Sequence, residues 1–162
     1  MIVTNTTNQP YAIIPKEKNV GAVLFACNLN AVRSAMAELM VKATFPGKIF
    51  VDSCGVKPGD PDGFAIAVMA EVGLDMTAHQ PKSFDDLESG FYDVIISFSP
   101  EAHEAAEQLT QNMDCTALYW PVENLAALGG PREEQLRAYR HVRNDIMQKL
   151  TVYLGQPIAV KA

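Results

Sequence analysis

The sequence predicts an α/β protein built on a three-layer, doubly wound sheet of about four parallel strands, with helices on both faces. Two features of the chain support this fold class. Short apolar runs that suit buried parallel strands alternate with longer segments in which apolar residues recur at helical spacing. Strands separated by helices in this way pair in parallel through right-handed crossovers, and such sheets bind ligands beyond the carboxyl ends of their strands.

The length and composition of the chain fit one domain. Its 162 residues are 48% apolar, which is enough to form one hydrophobic core. Residues 1–19 are polar, contain two prolines and show no sustained period, so we expect a loosely held N-terminal arm or an irregular strand. The single domain then covers residues 20–155, and residues 156–162 form a C-terminal tail.

The first strand and the first helix enclose a short polar loop. Residues 20–26 form an apolar run that is too brief for a helix, and we assign them to the first strand. Apolar or small residues recur at helical spacing over residues 35–43, and Pro46-Gly47 ends that segment. Cys27 therefore falls at the carboxyl end of the first strand, where a ligand is expected.

The rest of the chain continues the same alternation. Residues 55–63 are rich in Gly and Pro and form a loop, and Pro131 occupies a favoured first position of the last helix. In chain order the predicted elements are a strand at 48–53, a helix at 64–72, a strand at 94–98, a helix at 100–112, a short strand at 116–119 and a long helix that ends at Leu154.

Charge and the lack of long apolar runs exclude several classes of protein. The net charge of -6 argues against a nucleic-acid-binding protein, because such proteins neutralise phosphates with many Lys and Arg side chains. No apolar run approaches the ~18 residues that span a bilayer. The first residues also lack the features of a signal peptide, so we expect a cytoplasmic protein without membrane contact.

The three cysteines, Cys27, Cys54 and Cys115, are scattered along the chain. An odd number without close spacing fits neither a disulfide framework nor a zinc site, so we expect reduced thiols. We assign the chain no metal and no cofactor. Cys54 follows Ser53 directly. A reversible disulfide between Cys54 and Cys27 is a hypothesis that disulfide mapping after mild peroxide treatment would test.

The segment that begins at Cys27 predicts an oxyanion site. Five residues separate its thiol from the guanidinium of Arg33, and they let the backbone curl so that successive amides face a tetrahedral anion. Arg33 adds a planar, two-pronged grip, and together with the N-terminus of the following helix it favours the thiolate. The predicted anion-binding residues are Asn28, Leu29, Asn30, Ala31, Val32, Arg33 and Ser34.

This segment has the pattern Cys-x-x-Asn-x-x-Arg-Ser followed by Met-Ala-Glu, and it resembles the low-molecular-weight protein tyrosine phosphatases and the related thioredoxin-coupled arsenate reductases. The resemblance covers roughly residues 20–154. Further matching segments lie at 52–55, 72–79, 92–96, 119–121 and 139–145. The resemblance implies an oxyanion loop of the phosphatase type after the first strand.

The resemblance also implies a two-step phosphatase reaction. Cys27 attacks phosphorus, Arg33 and the loop amides stabilise the equatorial oxygens, and water hydrolyses the phosphocysteine without a metal. The implied substrate is a phosphorylated protein, habitually at phosphotyrosine, or a small aryl phosphate. Phosphate, sulfate and vanadate are the implied ligands, and a homodimer is one possible assembly.

Supporting roles follow from the same resemblance. Asn30 would brace the loop through side-chain hydrogen bonds, Ser34 would donate to the Cys27 thiolate, and Ser53 would join Asn30 in this network, with His79 helping to hold it. Cap or turn roles stay open for the Asn and the two Ser residues, because these residue types are favoured at helix starts.

The sequence departs from the family at the general acid. The family uses an Asp followed by Pro in the loop after the fourth strand, and that position falls here on Asn124, whose amide cannot act as an acid. Either the adjacent Glu123 takes this role after a small shift of the loop, or turnover of substrates with poor leaving groups is impaired. Leu29 replaces the usual glycine, which widens the loop or makes its mouth more apolar. Tyr119 and Trp120 either wall the pocket or belong to the core.

Two other functions stay open. Loss of the Asp-Pro pair favours a non-catalytic module that binds an oxyanion or a phosphoprotein. Arsenate reduction needs resolving cysteines on a mobile segment after the third strand, and residues 97–101 contain none. We therefore rank arsenate reductase activity below phosphatase activity.

Overall fold

A computed structural model of the chain describes residues 2–4, 10–87 and 90–161. At its centre lies a parallel sheet of the strands β3 (Ala22–Cys27), β4 (Phe50–Gly55), β5 (Val94–Ser97) and β6 (Thr116–Tyr119). The order across the sheet is β4-β3-β5-β6, and every neighbouring pair is parallel. The predicted fold class is confirmed, and β3, which carries Cys27 at its end, has a strand on each side.

Four helices cover the two faces of this sheet. They are α1 (Arg33–Thr44), α2 (Gly63–Ala70), α3 (Pro100–Thr110) and α4 (Arg132–Leu154). Val23 and Phe25 pack in the larger core with α1, α2 and α4, whereas Leu24 and Ala26 pack in a smaller core with α3. Alternate residues of one strand thus build both cores, as expected for a sheet buried on both sides.

The ends of β3 and β4 differ from the predicted ends by one or two residues, and the differences shape the site. The amides of Gly21 and Ala22 donate to Oδ2 of Asp93 at 2.8 and 2.9 Å, so the ladder begins only at Ala22. At the other end, β4 continues until Gly55 lies opposite Cys27. Strand pairing therefore supports the backbone as far as the thiol.

The terminal segments pack against the sheet domain. Ile2–Thr4 (β1) pairs antiparallel with Pro10–Ala12 (β2), and Ile13 after them is buried. At the other terminus, the amide of Lys161 donates to the carbonyl of Val72 at 2.8 Å. The predicted boundaries of the N-terminal arm (1–19), the domain (20–155) and the C-terminal tail (156–162) stay predictions. Within the described residues, no helix combines the length and apolar character needed to cross a bilayer.

Glu71, directly after α2, joins that helix to α4. Its carboxylate accepts hydrogen bonds from Nε and Nη2 of Arg140 at 3.0 and 2.8 Å and from Nη1 of Arg143 at 2.8 Å. These partners, Arg140 above all, hold the pKa of Glu71 below its ordinary value. The α2–α4 pair is thereby fixed beside the end of β3.

Candidate active site

Hydrogen bonds beyond the strand ends shape the oxyanion loop, which we define as residues 27–34. The carbonyls of residues 27, 28 and 29 accept hydrogen bonds from the amides of Val56, Lys57 and Gly59 at 3.0, 3.1 and 2.8 Å. The amides of residues 28–32 find no acceptor within the described part of the chain. Since backbone donors are seldom left unpaired, these amides are available for a bound anion.

Two backbone positions permit this curvature. A Cβ atom at Gly55 would lie 2.7 Å from the carbonyl oxygen of Lys57 and 2.8 Å from the amide nitrogen of Asn30, so only glycine fits between the two segments. Asn30 itself has a φ of +56°, in the left-handed region that Asn tolerates better than most residues. Leu29 fits because Gly59, which has no side chain, faces its Cβ.

The side chain of Asn30 is fully buried and holds the oxyanion loop from inside. Its Nδ2 donates to Oγ of Ser34 at 2.9 Å and to Oγ of Ser53 at 2.8 Å, while its Oδ1 accepts from the amide of Lys82 at 3.0 Å. Its own carbonyl accepts a hydrogen bond from Nε2 of His79 at 2.7 Å. The structure thus brings together the four residues to which the sequence assigned supporting roles.

The thiol of Cys27 is buried and lies next to Ser34. The Sγ and Oγ atoms are 2.9 Å apart, and the hydroxyl also lies 3.3 Å from the carbonyl oxygen of Cys54. Helix α1 begins at Arg33 with neither a side-chain cap nor an acidic residue in its first turn. Its free amides therefore add to the positive potential beside the sulfur.

Arg33 is held in place by two carbonyl groups. Its Nη1 donates to the carbonyl of Phe98 at 3.2 Å and to that of Val122 at 3.0 Å, which leaves Nε and Nη2 for a ligand. Burial lowers the pKa of Arg33, and the nearby Cys27 and Glu101 act in the opposite direction. A guanidinium stays charged in such surroundings, so it supplies a fixed cation at the oxyanion loop.

A cavity of about 470 Å³ contains Cys27 and opens between the oxyanion loop and α2. It contains two carboxylates. Asp62 caps α2 by accepting hydrogen bonds from the amides of Phe64 and Ala65, and it also accepts one from the hydroxyl of Tyr139 at 2.7 Å. Burial, and after it this bond to Asp62, raises the pKa of Tyr139. Asp60 is exposed and has no partner among the described residues.

The predicted acid and its neighbour lie in different surroundings. Glu123 is exposed and lines an adjoining cavity of about 360 Å³ with Tyr119, whereas Asn124 lines both cavities. Oδ1 of Asn124 accepts a hydrogen bond from the amide of Ala126 at 3.0 Å. Trp120 is buried in the larger core. Of the two roles left open for the aromatic pair, Trp120 takes the core role and Tyr119 lines the adjoining cavity.

Cys54 and Cys115 both pack in the smaller core, whereas Cys27 belongs to the larger one. Cys54 pairs with Ala26 and packs in the smaller core with α3, on the opposite face of the sheet from Cys27, and burial raises its pKa. Cys115 precedes β6 and so lies near the amino edge of the sheet; burial also raises its pKa. No cluster of metal-binding side chains occurs within residues 2–4, 10–87 and 90–161.

Several contributors to the site were missed by the sequence analysis. The carbonyls of Phe98 and Val122 carry no sequence signal, because any residue could provide them. Asp62 carries one, since an Asp directly before a helix is a frequent N-cap. Glu38, which accepts a hydrogen bond from Ser53, carries another, because it lies one helical turn after Ser34.

Comparison with known proteins agrees with this geometry. The sequence profile of the family described as low molecular weight phosphotyrosine protein phosphatase matches residues 22–161. A glutaredoxin arsenate reductase of Synechocystis is 31% identical over 79% of this chain and 92% of its own length. A solved arsenate reductase in its phosphate-binding state is 28% identical, with a TM-score of 0.61 over 80% of this chain and 93% of its own. Vibrio vulnificus Wzb in complex with benzylphosphonate shares the fold at 19% identity, with a TM-score of 0.69 over 85% and 99% of the two chains.

Proposed function

Because the chain belongs to the low molecular weight phosphotyrosine protein phosphatase family, we propose that it hydrolyses phosphomonoesters through a phosphocysteine intermediate on Cys27. The observation that carries this proposal is the set of amides at residues 28–32 that have no acceptor among the described residues, in a loop that lines a cavity together with Cys27 and Arg33. The substrate class that we propose is a phosphorylated protein or a small aryl phosphate, met in the cytoplasm.

In the proposed reaction each group of the oxyanion loop has one task. The amides and the guanidinium of Arg33 bind the three equatorial oxygens, and their hydrogen bonds strengthen as charge builds up on the phosphoryl group. The sulfur of Cys27 forms the new bond to phosphorus while the bond to the ester oxygen breaks. Water then attacks the phosphocysteine and releases phosphate, and Ser34 donates to the thiolate that leaves.

The ester oxygen needs a proton as it departs. Glu123, the predicted donor, stays a prediction; it lines the adjoining cavity, which Asn28 and Arg33 of the oxyanion loop also line. Asp60 is the second candidate, because it lines the cavity of Cys27 and forms no competing hydrogen bond with the described residues. Asp62 is the weaker donor, since the cap of α2 and Tyr139 occupy both of its oxygens.

One assay series tests both the reaction and the donor. Hydrolysis of para-nitrophenyl phosphate and of phosphotyrosine is compared for the wild type, Cys27→Ser, Glu123→Gln and Asp60→Asn, with Glu104→Gln on the exposed side of α3 as a matched control. Cys27→Ser should abolish turnover of both substrates. Loss of the true donor should reduce phosphotyrosine turnover by about 10²- to 10⁴-fold and affect the nitrophenyl ester less, because its leaving group needs little help.

Absence of turnover by fresh, reduced wild-type protein would reject the proposal. If that protein still bound vanadate, the alternative of a non-catalytic oxyanion-binding module would replace it.

Arsenate reduction is a second candidate, favoured by the relative of 31% identity that is named a glutaredoxin arsenate reductase. Cys54 and Cys115 lie on the opposite face and near the opposite edge of the sheet from Cys27, so an arsenate adduct on Cys27 would have to be resolved by a thiol from another molecule. Arsenate-dependent oxidation of glutathione in the presence of glutaredoxin, lost in Cys27→Ser, would support this activity. Unchanged thiol counts would reject it.

A further inference from the structure

A separate cavity of about 300 Å³ lies at the amino edge of the central sheet. Its walls come from the segment before β3, from β5 and β6 with the residues before them, and from Tyr153 near the end of α4. Cys27 lies at the carboxyl end of β3, so a ligand in this cavity would not touch the oxyanion loop. No group with a task in the proposed reaction lines it.

The hydroxyl of Tyr153 is the buried polar group that points to a ligand here. The residue is 3% exposed, and its ring packs edge-on against Trp120 with the ring centres 5.2 Å apart. Its hydroxyl has no hydrogen-bond partner among the described residues, although buried polar groups are seldom unpaired. Burial, and after it the charges of Asp93 and Glu17, raises the pKa of Tyr153 to about 12. Since both carboxylates line the cavity, the hydroxyl that they affect faces it, and it keeps its proton at neutral pH.

Carboxylates dominate the charge of this cavity. Glu17, Asp93 and Asp114 line it, against one ammonium group from Lys16, so its lining carries an excess of two negative charges. Within residues 2–4, 10–87 and 90–161, none of these four side chains forms an ion pair. Because like charges close together repel one another, a cation that bridges the carboxylates would be stabilised.

Backbone contacts hold the walls of the cavity in place. Oδ2 of Asp93 accepts from the amides of Gly21 and Ala22 at 2.8 and 2.9 Å, which leaves Oδ1 for a ligand. The amide of Lys16 donates to the carbonyl of Tyr153 at 2.7 Å, and this bond ties the segment before β3 to the end of α4. A ligand would therefore enter a cavity whose walls are already fixed, which lowers the entropic cost of binding.

The lining fits an elongated ligand better than a compact one. A metal ion needs several oxygen ligands within about 2.0–2.6 Å of one point, and no such group of side chains occurs in the described part of the chain. Apolar side chains, Ile14 and Leu118 among them, form other parts of the wall. An alkyl chain with an ammonium group at each end matches both features, because its ends pair with carboxylates and its middle covers apolar surface.

We propose that this cavity binds a linear alkyl diamine, whose two ammonium groups are held by the carboxylates of Glu17, Asp93 and Asp114 and by the hydroxyl of Tyr153. An ammonium group has three N–H donors and no acceptor, so the hydroxyl accepts from it and directs its own proton to a carboxylate. The site is separate from the proposed reaction, since it shares no lining residue with the cavity of Cys27.

The test is calorimetric titration of the whole, reduced protein with 1,5-diaminopentane at constant ionic strength, because salt screens exposed charges. Saturable binding with a Kd of about 1 mM or lower is expected. Pentylamine has the same chain but one ammonium group, and it should bind about tenfold more weakly or worse. Asp114→Asn and Glu17→Gln should each weaken diamine binding about threefold or more. Glu104→Gln on the exposed side of α3 makes the same change in net charge and should leave the Kd unchanged.

Tyr153→Phe separates binding from stability. Because the hydroxyl has no partner among the described residues, its removal should leave the Tm of the ligand-free protein unchanged or raise it. The same variant should bind 1,5-diaminopentane about threefold to tenfold more weakly, and the diamine should raise its Tm less than that of the wild type.

Four results would overturn the proposal. They are no binding of 1,5-diaminopentane, equal binding of pentylamine or of Mg²⁺, an equal loss of affinity in Glu104→Gln and Asp114→Asn, and unchanged affinity in Tyr153→Phe. The phosphatase assay depends on a different cavity, so its failure would leave these titrations unchanged and the two proposals fail separately.

Discussion

Replacement of Asn30 by Ala should be among the most damaging single changes to the oxyanion loop. It removes three side-chain hydrogen bonds, to Ser34, Ser53 and the amide of Lys82. At a net value of about 0.5–1.5 kcal/mol for each bond, the loss is about 1.5–4.5 kcal/mol of unfolding free energy. The φ of +56° adds about 1 kcal/mol, because Ala adopts the left-handed region with strain.

Urea unfolding measures this loss directly. The chain contains a single tryptophan, Trp120, which is buried and therefore reports unfolding through its fluorescence. The matched control is Asn30→Gly, which removes the same hydrogen bonds but adopts positive φ without strain, so it should be about 1 kcal/mol less destabilised than Asn30→Ala. An Asn30→Ala protein within about 1 kcal/mol of the wild type would refute the assigned role of the side chain. A glycine variant less stable than the alanine variant would refute the argument from φ.

Three further changes test other parts of the account. Gly55→Ala should destabilise the fold and weaken phosphate binding in calorimetric titration, because its Cβ would lie 2.7 Å from the carbonyl oxygen of Lys57; unchanged affinity would contradict the close approach. The lowered pKa of Glu71 stabilises the fold above the pKa of about 4.3 of the unfolded chain, and this contribution is lost as the pH falls through the folded pKa. The unfolding free energy of Glu71→Gln should therefore fall less steeply with pH between pH 5 and 3 than that of the wild type, by about the contribution of one carboxylate. An unchanged slope would contradict the role of Arg140. Arg33→Lys should weaken vanadate binding by about tenfold or more, since one ammonium group cannot bind two carbonyls and the anion together; equal affinity would show that any cation suffices.

The fold could be predicted from the sequence because its elements are decided locally. The last helix ends at Leu154 in the prediction and in the structure, since Gly155 follows it with a φ of +74° and provides a left-handed cap. The exact start of β3 could not be predicted. It depends on the carboxylate of Asp93, which is 72 residues away from Gly21 in the chain and accepts a hydrogen bond from the Gly21 amide just before the strand.

The candidate site likewise has a part that could be predicted from the sequence and a part that could not. Cys27, Asn30, Arg33 and Ser34 lie within eight residues and form one motif, so their association could be predicted. The orientation of Arg33 could not, because it depends on carbonyls 65 and 89 residues further along the chain.

The position of Glu123 also depends on packing that the sequence does not display. The segment after β6 has no regular structure up to α4, and burial of Val122 and Leu125 decides which of its side chains face outward. Glu123 and Asn124 are both left exposed between these two anchors, and Asn124 is the one that lines the cavity of Cys27.

The central claim is that Cys27 carries the phosphoryl group during turnover. The most direct measurement is rapid acid quenching of the reduced protein during hydrolysis of para-nitrophenyl phosphate, followed by mass spectrometry of its peptides. The account predicts one phosphoryl group on the peptide that contains Cys27, and none in Cys27→Ser. Sustained hydrolysis without a phosphoryl group on that peptide, or with the group on another residue, would contradict it.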